Sequence, residues 1–131
     1  MHDMKGFIEL FKALNRVFER NQTVHIDIVC TVVPQYKARV LKLVDTKYHD
    51  RIRFLGRIDN SQLPKKYNES NLLILPSLAE AFPIIPLESM ACGTPVIMAD
   101  RFSSREIIDE GEDGFLVDVL DPEAAEHDPN D

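Results

Sequence analysis

The segment from Asn71 to Asp100, NLLILPSLAEAFPIIPLESMACGTPVIMAD, admits few folds. Leu72 to Leu75 is an apolar, strand-like run that stops at Pro76-Ser77. A loop carrying Glu80 follows, and a prolyl turn then opens a helix whose first turn holds Glu88. Gly93 suits the left-handed residue just past a helix, Pro95 forbids continuation, and Val96-Ile97-Met98 reads as a buried strand. The unit is strand, loop, helix, strand. In open α/β sheets ligands bind beyond the carboxyl ends of the strands, which places both carboxylates on the functional face.

The flanking sequence repeats this alternation. Phe7, Leu10, Phe11, Leu14, Val17 and Phe18 recur at three- and four-residue steps, predicting an amphipathic helix from about Lys5 to Arg20. His25 to Val33 reads as a strand, rich in β-branched residues, and Pro34 fits the first turn of a helix on which Tyr36, Val40, Leu43 and Val44 share a face. Ile52, Phe54 and the terminating Gly56 predict another strand, and Ser61 starts a short helical turn ending near Tyr67. Strands alternating with helices imply an α/β domain with a parallel sheet and right-handed crossovers.

At 131 residues the chain is long enough for one hydrophobic core and too short for two. No apolar run approaches the roughly 20 residues that span a bilayer, and no membrane contact is expected of this segment. Cys30 and Cys92 lack CxxC spacing and the four histidines lack ligand spacing, so no metal site or disulfide framework is expected and a cytoplasmic location is. From Glu106 onward there are eleven acidic residues and no Lys or Arg. The body of the chain is therefore basic and its end strongly acidic, a distribution that argues against nucleic-acid binding. Residues 1–120 are expected to form the domain, with 121–131 an acidic, frayed tail.

PSLAEAFPIIPLESMACGTPVI resembles the signature of the GT-B glycosyltransferases of the large retaining family that includes sucrose and glycogen synthases. Glu80 and Glu88 match its pair of glutamates with seven residues between them. The likeness extends upstream to Lys5-Gly6 and downstream through Ser104-Arg105-Glu106-Ile107-Ile108 to Gly114-Phe115-Leu116-Val117. It implies a doubly wound parallel sheet, the Rossmann-like half of a GT-B fold, that binds a nucleotide-diphosphate sugar. Against that pattern the chain lacks the first strand and the C-terminal helix. The acceptor would be held by an N-terminal domain, and no cofactor is implied beyond the sugar nucleotide itself.

The same resemblance assigns roles. Glu80 would face the reacting carbon of the donor sugar, and Glu88 would bond the ribose hydroxyls, for which an acceptor-only carboxylate is suited. Lys5 would contact the diphosphate, whose growing negative charge must be stabilised during transfer. The backbone donors of Ile84, Ile85 and Leu87, at the helix start around Pro86, would form a second phosphate contact. Pro83 stands where the family has glycine and removes one donor. Ile58, after Gly56-Arg57, would touch the nucleobase. Taken singly, each residue also has a plainer reading: Lys5 as a surface lysine, Glu80 as a loop charge, Glu88 as a partner of the helix dipole, Gly56 as a turn. Glu106 is better read as structural, with Ser103 and Ser104 serving equally well as N-cap.

Other classes fit less well. A receiver domain needs a phospho-accepting aspartate after a central strand, where this chain has Pro76-Ser77. A metal-dependent transferase of the other major fold needs a DxD pair, and a dehydrogenase a GxGxxG, and the sequence holds neither. The remaining rival is a non-catalytic nucleotide or nucleotide-sugar binding module.

Overall fold

The computed structural model describes residues 6–75, 84–100 and 104–117. Lys5, Glu80, Pro83, Ser103 and the tail beyond Val117 lie outside these residues. The first element is helix α1, Phe7–Arg20, which buries Leu10, Phe11, Ala13, Leu14 and Phe18, the stripe expected from their spacing. It starts after Gly6, whose φ of 71° lies in the left-handed region that glycine enters without steric penalty. Its carboxyl end is closed by Asn21, whose backbone N–H and side-chain amide both donate to the Val17 carbonyl.

Among the described residues five short strands follow: β1 (Ile26–Ile28), β2 (Ile52–Phe54), β3 (Leu73–Leu75), β4 (Val96–Ala99) and β5 (Gly114–Val117). Every pairing among them is parallel, as the alternation of strands and helices implied. The pairings form two sheets, β1-β2 and β3-β4-β5. Between them in the chain run α2 (Pro34–Leu41), a 3-10 turn at Thr46–Arg51 and α3 (Leu63–Glu69); α4 (Ile85–Ala91) and α5 (Ser104–Ile107) belong to the second half.

The strand expected over His25 to Val33 is shorter in the structure, because β2 offers β1 only three register partners before its chain turns away. Leu55 N–H still donates to the Ile28 carbonyl at 2.9 Å, and Gly56, with φ 72°, then ends the ladder. Pro34 occupies the first turn of α2 as expected. That helix ends at Leu41, where the bonds tighten to Leu43→Val40 and Val44→Leu41, so Val44 reaches the core from the turn beyond the helix.

One core joins α1, β1, α2 and β2 around Phe11, Leu14, Phe18 and Val40, and Ile74 of β3 packs against it. A second lies around Val96, Met98, Ile107 and Ile108, with Leu73, Met90 and Leu116 at its margin. Strand β4 is buried along its whole length, as befits the middle strand of its sheet. By contrast, Leu55 just past β2 and Ile84, Ile85 and Leu87 at the start of α4 are exposed apolar residues at or after the carboxyl ends of strands.

Candidate functional site

The expected helix after β3 is present, with Ile84 at the N-cap and no side chain capping it. Its first bond runs from Glu88 N–H to the Ile84 carbonyl at 3.1 Å. The backbone donors of Ile84, Ile85 and Leu87 therefore precede the first acceptor the helix supplies, and Pro86 has none to give. Pro86 is buried, whereas the Ile84, Ile85 and Leu87 side chains are exposed around it. Glu88 stands in this first turn, as its spacing predicted, and is exposed.

Glu88 has one partner that the sequence did not suggest. The Tyr67 hydroxyl, near the end of α3, donates to its Oε2 at 3.2 Å. Burial, and after it the Glu88 carboxylate, pushes the Tyr67 phenol up to about 12. Tyr67 is itself pinned from behind: Thr94 Oγ1 donates to its carbonyl at 2.6 Å, and Ser89 Oγ donates to the Thr94 carbonyl at 3.0 Å. Ser89 and Thr94 are both buried.

The end of α4 closes as the Gly93-Thr94-Pro95 sequence implied. Gly93 has φ 81°; its N–H donates to Met90 and that of Thr94 to Ser89, the paired bonds of a Schellman cap. This cap turns the chain into β4 and delivers Thr94 to Tyr67, so the helix end and the Glu88 partner belong to one construction.

Ile58 lines a cleft of about 270 Å³ with Gln62, Lys65, Lys66 and Glu69 of the α3 region. Those four recur at three- and four-residue steps and so share a face of the chain from which Tyr67 is displaced. Lys66 also reaches Asp27 on β1, which accepts from Arg53 on β2 as well. Lys5, Glu80 and Pro83 fall outside the described residues; Gly6, next to Lys5, opens α1 in its left-handed conformation. Glu106 is exposed on α5, while Ser104, the first residue of that helix, is buried and its carbonyl accepts Ile108 N–H at 2.9 Å; Ser103, the other N-cap candidate, lies outside the described residues.

Among the described residues no group of three or more His, Cys, Asp or Glu side chains is placed to hold a metal ion, and no helix is long and apolar enough to cross a membrane.

A family model described as glycosyl transferases group 1 matches residues 1–128. A D-inositol 3-phosphate glycosyltransferase of Corynebacterium glutamicum (strain R) is 30% identical, over 95% of this chain and 31% of its own length. One from Salinispora tropica is 39% identical over 75 residues, 57% of this chain and 16% of that protein. Among solved structures, sucrose-phosphate synthase from Thermosynechococcus elongatus superimposes with a TM-score of 0.81 at 27% identity, over 95% of this chain and 32% of the other. Anabaena HepE in complex with UDP has the same fold, with a TM-score of 0.82 at 23% identity, over 98% of this chain and 35% of the other. The chain thus spans about a third or less of the length of these relatives.

Proposed function

The chain belongs to the glycosyl transferases group 1 family, and from that premise we propose that it is the donor-binding half of a retaining glycosyltransferase. Its ligand is a nucleotide-diphosphate sugar, and the glycosyl group passes to an acceptor held by an N-terminal domain. Residues 1–120 carry the binding function and the acidic tail, 121–131, takes no part in it. The work is metal-independent and cytoplasmic.

The observation that carries this reading is Glu88. Its carboxylate is exposed in the first turn of a helix that follows a parallel strand, beside backbone donors with no acceptor in their own helix. A carboxylate there accepts hydrogen bonds from the ribose hydroxyls, while the amides of Ile84, Ile85 and Leu87 meet the diphosphate. Lys5 adds a positive charge to the leaving group. Glu80 faces the anomeric carbon, where positive charge develops as the glycosidic bond to phosphate lengthens, and Ile58 supports the base. Supporting the class of donor, the similar fold of HepE has been solved with UDP, with UDP and glucose, and with UDP-glucose.

The acceptor and half of the reaction cleft belong to the other domain, so the 131-residue chain binds the nucleotide without transferring sugar. Calorimetric titration with UDP, GDP and ADP tests this directly. Binding of at least one in the micromolar to millimolar range is expected, and Glu88→Ala should weaken it by about ten-fold through loss of charge-assisted hydrogen bonds. Absence of binding by all three at millimolar concentration sinks the proposal. An unchanged affinity in Glu88→Ala removes Glu88 from the site.

A further inference from the structure

We propose that Tyr67 is a positioning residue for Glu88, holding its carboxylate in the orientation that takes both hydroxyls of a nucleotide ribose; the inference rests on the donor-binding reading above. An exposed glutamate on a helix samples many rotamers, and ordering it costs part of whatever the ligand contact gains. Here that order exists before the ligand arrives. The Tyr67 hydroxyl donates to Glu88 Oε2 at 3.2 Å, which leaves Oε1 and the second lone pair of Oε2 available as acceptors.

The support behind Tyr67 is unusually firm for a side chain whose tip reaches an exposed carboxylate. Only 7% of Tyr67 is exposed. Its carbonyl accepts both Thr94 Oγ1 at 2.6 Å and the Ser70 N–H at 3.1 Å. Thr94 is in turn held by Ser89, which is wholly buried one residue after Glu88 on α4. The chain of contacts therefore starts beside Glu88, passes through the helix cap and returns to Glu88 from α3. A phenol is the group suited to this task, because it is rigid, apolar along its ring and able to donate only at its tip.

The reading predicts a loss confined to ligands with a diol. UDP, GDP and ADP and their 2′,3′-dideoxy counterparts serve as probes, and affinities are measured on wild type, Tyr67→Phe, Glu88→Asp and the double variant. Wild type should prefer the ribose form. Tyr67→Phe should weaken that form roughly five-fold, the worth of one pre-ordered side chain, and leave the dideoxy form within about two-fold. Glu88→Asp keeps the charge but shortens the reach to Tyr67, so adding Tyr67→Phe to it should cost nothing further.

A Tyr67→Phe protein that weakens both ligand forms equally, or neither, overturns the positioning role while leaving Glu88 and the donor site standing. Additive losses in the double variant overturn it as well, and need only the folded Glu88→Asp protein as background. Failure of wild type to bind any of the three nucleotides overturns the donor-binding reading and this inference with it.

Discussion

Asp27 on β1 and Arg53 on β2 are register partners in a parallel ladder, and the guanidinium holds the carboxylate in a bidentate grip, Nε to Oδ1 at 2.7 Å and Nη2 to Oδ2 at 2.8 Å. Lys66 of α3 closes on the same carboxylate. One acidic side chain, with 11% of its side chain exposed, thereby ties two strands to a helix that comes later in the chain. It is the cross-brace between the first sheet and the helix that carries Tyr67.

The brace should fail in acid. The Arg53 hydrogen bond, against the opposing effect of burial and with help from Lys66, holds the Asp27 carboxyl down at about 2. A carboxyl whose folded pKa lies below its unfolded value contributes stability that is complete above about pH 4 and disappears as pH falls toward 2. Asp27→Asn is therefore expected to lower stability near neutrality by about 1–2 kcal/mol, the smaller end reflecting the exposure of Arg53. Urea unfolding of both proteins should show the gap narrowing as pH drops through the acid range. A gap that is constant with pH would mean the ion pair contributes packing alone.

Arg51 makes a comparable prediction for α1. Its guanidinium donates to the carbonyls of Val24 at 2.8 Å and Phe18 at 3.1 Å and also to Asn21, and it stacks over the Phe18 ring at 4.4 Å. Phe18 lies in the last turn of the helix, where carbonyls have no partner in the helix itself. Lysine retains the charge but has neither the planar fork nor the stacking face. Arg51→Lys should cost about 1–2 kcal/mol in equilibrium unfolding, nearly as much as Arg51→Ala. If lysine fully rescues, charge rather than geometry is what the site requires.

Local chemistry made much of the fold readable. The stripe from Leu10 to Phe18, the proline opening α2 and the glycine closing α4 are each decided within a few residues of sequence, and the structure has all three. Strand length was less readable, because β1 extends only as far as β2 can pair with it, and β2 lies a helix and a turn away. Glu88 could be placed in its helix turn by spacing to Pro86, but its partner Tyr67 lies 21 residues earlier and Arg51 reaches back 33 to Phe18. Such contacts depend on how helices and strands stack, a relation that no local periodicity encodes. An acid at the centre of an apolar strand, Asp27, was a signal that a partner must exist, since a half-buried charge without one is costly.

Alkaline titration isolates Tyr67 from the ligand question. Its phenol is raised to about 12, so the folded protein holds that proton more tightly than the unfolded chain, whose tyrosines ionise near 10. Stability from this source is complete below pH 10 and falls as pH climbs toward 12, by up to about 1.4 kcal/mol per unit. Tyr67→Phe has no phenol to ionise and should show a flatter decline across that interval. Parallel declines in the two proteins would show that other groups govern the alkaline limit.

Gly114 and Gly111 pose opposite problems for an added methyl group. At Gly114 an ideal Cβ would sit 2.2 Å from the Val96 carbonyl oxygen and 3.1 Å from Ile108 Cδ1, so β4 and β5 would have to separate where they pair. At Gly111 a Cβ meets nothing within 4 Å, but the backbone φ of 84° strains any residue that carries one. Gly114→Ala should therefore cost about 3 kcal/mol, from overpacking against a backbone atom that cannot step aside. Gly111→Ala should cost only about 1 kcal/mol, the conformational penalty of the left-handed region. Denaturant unfolding of the pair distinguishes the two causes. Equal losses would mean that the β4-β5 ladder is soft enough to absorb the methyl group, and that the second core is less tightly packed than its contacts around Val96 indicate.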